Sequence, residues 1–307
     1  MELLSTALLA LFVVGYLVLA GSDVGLGMLV PHVARTPAER RRVVAAVAPY
    51  FLASEVWLVA ALGVLAGLFP DLEHELVGAL WPVLVALALG WLVRDAGLWF
   101  RSRVDDRRWR SLCDTALVAG SWTLAVCWGL VLTALVGDGL APDPFTVLGT
   151  VTVVALFALR GAAFGAERLV GASEAESADA AARATRPLAR TALAALAVTV
   201  LVGVGLGGPA LVRPEVAAVL VGILAAALAA TSGLTGPMLS RHTSALAIAV
   251  PGLVVALSVG TPLSAPPGMT GAFVWSMLLP VVPVMLLGQV WLYRMTRRPA
   301  TTPTFFA

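Results

Sequence analysis

Nine stretches of this chain stay apolar over about the 20 residues that a helix needs to cross the hydrocarbon core of a bilayer. They fall at 4–31, 43–70, 75–100, 112–136, 145–167, 188–207, 215–238, 243–260 and 272–293. Nothing else in the sequence constrains the fold as strongly. In hydrocarbon no water is available to backbone N–H and C=O groups, so each stretch has to pair them internally as an α-helix. The breaks are short and rich in Gly, Pro, Asp and Ser, which leaves almost no length for a soluble domain. Charge content agrees, at 12% against the roughly 25% usual in soluble domains. One longer connection, "ERLVGASEAESADAAARATRPLAR" at 167–190, is polar and Ala-rich and reads as a surface helix or a loop. The start, "MELLSTALLALF", has no basic segment before its apolar run and is expected to be a retained helix, not a cleaved signal.

Orientation follows from the basic residues, all of which are Arg. The first connection holds Arg35, Arg40, Arg41 and Arg42, and the third, "RSRVDDRRWR", holds five more. Arg168, Arg183, Arg186 and Arg190 lie in the fifth, Arg241 in the seventh, and Arg294, Arg297 and Arg298 in the tail. Of the even-numbered connections only the sixth carries one, Arg213. Basic loops stay in the cytoplasm, so the pattern predicts an outside N-terminus and a cytoplasmic C-terminus. The expected fold is an all-α integral membrane protein of nine transmembrane helices. Two four-helix bundles, 1–137 and 138–261, are followed by a peripheral ninth helix and cytoplasmic tail, 262–307. A net charge of +2 gives no reason to expect a nucleic-acid partner.

Five charged residues fall within the spans: Asp23, Glu55, Arg94, Asp95 and Arg160. A charge at the centre of a span costs about 2.5–3.5 kcal/mol on insertion scales, so each is expected to face protein or water. At ~1.5 Å per residue Asp23 lies roughly 12 Å from the cytoplasmic end of its helix, Arg94 roughly 9 Å, and Glu55 roughly 18 Å, near mid-membrane. Asp23, Arg94 and Glu55 therefore form a candidate proton path. Asp95 and Arg160 are read as buried or structural charges, Arg160 lying at a depth similar to Asp23. Either arginine can also snorkel toward the interface, and Asp23 can pair with either. Gly21 and Gly25 make a G-x-x-x-G pattern that lets a second helix come close, and Gly27 is a third glycine beside Asp23 expected to serve helix packing.

Metal and redox sites find little support. His32, His74 and His242 fall at helix ends or in connections, and none sits at ligand spacing from another His or Cys. Cys113 and Cys127 lie 14 residues apart on one expected helix, roughly 21 Å, too far for a disulfide. No Walker A, nucleophile-elbow or zinc motif is present.

Several stretches occur in a telling order: "GYLVLAGSDVGLGMLVP", "RTPAERRRVV", "SEVWLV" and "VRDAGLWFRSRVDDRRWRSLCD". With "FTVLGTVTVVALFALRGAAF" and a final "WSMLLPVVPVMLLGQVWLYRMTRR", the sequence resembles subunit II of the cytochrome bd quinol oxidases. The resemblance implies a haem-free, nine-helix subunit of an oxidoreductase that oxidises quinol and reduces oxygen to water in the bacterial plasma membrane. It implies haems b and d in a partner, subunit I, with which this chain forms a heterodimer, and room for small accessory subunits and a structural quinone or lipid. Asp23 matches the family's signature aspartate, Arg94 the arginine of the third helix, and Glu55 the acid or amide before V-W. Two departures stand out. Ser22 replaces an aromatic residue, and Leu52 stands where the family has an aspartate able to relay protons. The path is then either rewired through Glu55 and water, or lost in a purely structural subunit. A secondary transporter also accommodates parallel repeats and buried charges, although no span carries paired Gly/Pro interruptions in both halves.

Overall fold

The computed structural model describes residues 2–137, 139–170, 176–205, 209, 211–233, 236–260 and 269–295. Among them the regular structure is helical: α1 Glu2–Val33, α2 Pro37–Leu68, α3 Pro70–Phe100, α4 Arg107–Val136, α5 Pro144–Arg168, α6 Glu176–Gly205, α7 Pro214–Gly233, α8 Pro237–Ser258 and α9 Met269–Met295. All nine contain a stretch long and apolar enough to cross a membrane. The tail from residue 296, the eighth connection at 261–268 and residues 171–175 of the long connection lie outside the described residues.

Most helices start earlier than their apolar stretches, because polar first turns are themselves helical. Thr36 caps α2 in a capping box: its side chain accepts from the Glu39 N–H while Glu39 Oε2 accepts from the Thr36 N–H. Asp106 and Asp143 cap α4 and α5 in the same way, each taking the N–H three residues on. "DLEHE", expected as a connection, is the first turn of α3. Phe69 alone separates α2 from α3, Pro70 sits at N1, and Asp71 and Glu73 meet the positive end of the helix dipole. The Ala-rich segment before residue 188 likewise continues α6 back to Glu176, passing through Pro187. Alanine's helix propensity sustains the helix where hydrophobicity gives no signal.

α1 and α5 form the centre. α1 packs on α2, α4, α5 and α8, and α5 packs on α6, α4, α8 and α1. α3 lies against α4, α7 against α8, and α9 leans on α2. The two central helices cross at glycines. A Cβ on Gly25 would overlap the Phe157 carbonyl oxygen, and one on Gly161 would overlap the Gly25–Leu26 backbone. Without side chains there, the two backbones touch directly. Gly21 faces Arg160 and Ile248, and Gly27 faces Ser121 of α4.

Candidate functional site

At the level of this crossing Asp23 is fully buried. Its Oδ2 accepts from Arg94 Nη2 at 2.6 Å and from Ser54 Oγ at 3.1 Å, and its Oδ1 from the Val24 N–H at 2.9 Å. α1, α2 and α3 thus each supply one member. Arg94 is buried as well, and its guanidinium carbon stands 5.9 Å from the centroid of the Phe51 ring. Its Nη1 reaches Asp95 Oδ1 at 3.3 Å, and Asp95 in turn hydrogen-bonds Glu55. Glu55 Oε1 accepts from Trp91 Nε1 at 3.0 Å. The polar groups form one continuous chain: Ser54, Asp23, Arg94, Asp95, Glu55, Trp91.

The three residues expected on a path are brought together, but in a different order. Arg94 lies between Asp23 and Asp95, and Asp95, read from sequence as structural, is the link to Glu55. The choice left open for Asp23 is settled for Arg94. Arg160 turns the other way, donating to the carbonyl oxygens of Val18 and Arg241 and to Ser244 Oγ, at 3.3, 2.9 and 3.4 Å. Leu52 points outward and is 45% exposed, away from the buried end of the chain. Sequence reasoning missed Ser54, Trp91 and Gly161. For Gly161 a signal was present: "GAAFG" repeats in α5 the four-residue glycine spacing of Gly21 and Gly25.

A second feature lies toward the N-terminal end of α1. Leu9, Val13, Ala61, Leu80, Trp128 and Val255 help to line an apolar cleft of about 320 Å³, with Thr6 and Glu73 among its few polar groups. Trp128 Nε1 donates to Tyr16 Oη at 3.2 Å behind it. The lining suits an isoprenoid or acyl chain. It does not suit haem: no histidine lines the cleft, and His32, His74 and His242 are all exposed. Among the described residues no three His, Cys, Asp or Glu side chains gather as a metal site.

Fold and site together define a multi-pass membrane protein built round a buried carboxylate–guanidinium chain beside an apolar cleft. The family model described as "Cytochrome bd terminal oxidase subunit II" matches residues 1–296. The chain belongs to that family. It is 28% identical over 140 residues to cytochrome bd-I ubiquinol oxidase subunit 2 of Escherichia coli K12, covering 46% of this chain and 36% of the relative. With cytochrome bd ubiquinol oxidase subunit 2 of Bacillus subtilis 168 it shares 27% over 178 residues, 53% and 52% of the two chains. The aligned region thus spans between a third and about half the length of these curated relatives. A chain of the bd oxidase of Geobacillus thermodenitrificans has the same fold, with a TM-score of 0.75 over 96% of this chain and 98% of that one, at 17% identity. Membership of this family sets the transporter reading aside.

Proposed function

We propose that this chain is the haem-free subunit of a bd-type quinol:oxygen oxidoreductase, paired as a heterodimer with a subunit I that carries haems b and d. It sits in a bacterial plasma membrane with its N-terminus outside and its C-terminus in the cytoplasm, as the arginine distribution favours. The helices divide into two four-helix units, 1–137 and 138–261, with α9 at the periphery. Quinol is the substrate of the complex, and the apolar cleft takes a quinone tail or lipid. Small accessory subunits complete the assembly where they occur.

The observation that carries the functional reading is the polar chain from Asp23 through Arg94 and Asp95 to Glu55, inside a protein of this family. Its members divide the work. Arginine keeps its proton in a protein, so Arg94 does not relay; it fixes Asp23 and Asp95 on either side of itself. The carboxyl groups of Asp23, Asp95 and Glu55 are the ones that take up and release protons on the way to the site of oxygen reduction. Leucine at position 52 removes one relay group of the family pattern, and the Asp95–Glu55 pair stands in for it.

The test has two arms. Purification through a tag on this chain should yield type b and d absorption in a reduced-minus-oxidised spectrum; its absence sinks the oxidase reading. Glu55→Gln should slow quinol-driven oxygen uptake by about 10²-fold or more, the size of a lost proton-transfer group, with the spectrum unchanged. Full turnover in that variant leaves a structural subunit with an inactive path.

A further inference from the structure

Trp91 ends the polar chain, and its chemistry differs from that of the carboxyl groups. Its Nε1–H donates to Glu55 Oε1 at 3.0 Å. An indole nitrogen is a donor only, so Trp91 holds Glu55 without accepting a proton from it. Asp95, to which Glu55 is also hydrogen-bonded, lies four residues further along α3. Residues at that spacing share one face of a helix, about 6 Å apart along its axis, and Glu55 reaches both from α2. Glu55 needs such a hold. It is half-buried, and a glutamate side chain is among the costliest to order. Its neighbours one turn away on α2 are Phe51, Leu52, Leu58 and Val59, all apolar, so its partners have to come from another helix. The Trp91 ring packs against the larger buried core, and an aromatic plate with few rotatable bonds is a stiff support.

We propose that Trp91 is a positioning residue for proton transfer: its N–H occupies Oε1 of Glu55 and leaves Oε2 to exchange with Asp95, so that transfer between the two carboxyl groups runs along one fixed line. This rests on the reading above that the pair carries protons. A donor-only anchor suits the task. A histidine or a hydroxyl at the same place would also hold Glu55, but it could accept a proton and open a side branch from the path. The indole holds without branching. Placement matters because a shift of about 1 Å between reacting groups can cost about 10²-fold in rate.

The experiment crosses two substitutions in the purified complex. Trp91→Phe keeps an aromatic ring and removes the N–H; Trp91→Gln removes the ring and keeps an N–H donor. Oxygen uptake per haem is followed against quinol concentration in light and heavy water. Trp91→Phe should lower kcat by about tenfold or more and leave KM for quinol unchanged. It should also enlarge the solvent isotope effect on kcat, because proton transfer becomes the slow step. Trp91→Gln should keep more turnover than Trp91→Phe. On a Glu55→Gln background Trp91→Phe should cause no further loss. Wild-type turnover in Trp91→Phe overturns the proposal, and so does a raised KM with kcat unchanged. It is overturned equally if Trp91→Gln is slower than Trp91→Phe, the order that ring packing alone gives, or if the Trp91→Phe and Glu55→Gln losses multiply in full. Should a variant lose haem, rates per remaining haem decide by the same comparisons. If Glu55→Gln alone turns over at the wild-type rate, the path reading fails and the proposal falls with it.

Discussion

Replacing Arg94 by Met gives the sharpest test of the buried chain. In the intact protein Asp23 Oδ2 takes its charge-assisted bond from Arg94 at 2.6 Å, and only Ser54 and the Val24 N–H remain without it. Ser54 also has another acceptor, the Phe51 carbonyl oxygen at 2.9 Å, so it compensates poorly. Arg94→Met strands a fully buried carboxylate, which costs about 3–5 kcal/mol. Asp23→Asn is milder, about 1–2 kcal/mol, because Arg94 still has Asp95 at 3.3 Å. The double variant removes both deeply buried charges together, and it should be more stable than Arg94→Met alone, with a coupling of at least about 2 kcal/mol. The assay is thermal dispersion of the detergent-purified complex followed by fluorescence size-exclusion. Arg94→Met should lower the midpoint by roughly 6–20 °C on the scale of globular domains, and the double variant should recover part of that loss. Strictly additive losses, or an Arg94→Met protein within about 1 kcal/mol of wild type, would show that the pair is not buried as described.

Two other substitutions probe the frame and the cleft. Gly25→Ala pushes a methyl group into the α5 backbone and should cost at least the ~1–3 kcal/mol of core overpacking. Gly78→Ala, where an added Cβ meets nothing within 4 Å, should leave the same melting assay unchanged or slightly improved; equal effects at the two sites would contradict the crossing. Ala61→Phe fills part of the apolar cleft and should reduce the isoprenoid or lipid recovered by organic extraction per mole of complex. Unchanged recovery would mean that the cleft holds neither.

The site was partly legible beforehand. Asp23, Glu55 and Arg94 stand out in sequence because charge at lipid depth is costly, and that cost applies wherever the side chain points. Asp95 carries the same signal, yet its role depends on lying beside Glu55, a residue of another helix. Ser54 and Trp91 carry no such signal, since neither is unusual in a membrane helix. The start of α3 was hidden because "DLEHE" is polar both as a loop and as a capped first turn, and hydropathy does not separate the two.

Sequence alone determined that the chain crosses a membrane as nine helices, because hydrocarbon leaves a long apolar segment no other way to pair its backbone. Through its ordered motifs it also determined the family. Tertiary structure decided which charges meet. Asp23 has an arginine on α3 and another on α5 available to it, and the Gly25–Gly161 crossing turns Arg160 toward α8 while Arg94 reaches Asp23. That choice rests on how closely two backbones approach, a distance between helices far apart in the chain that no local pattern encodes.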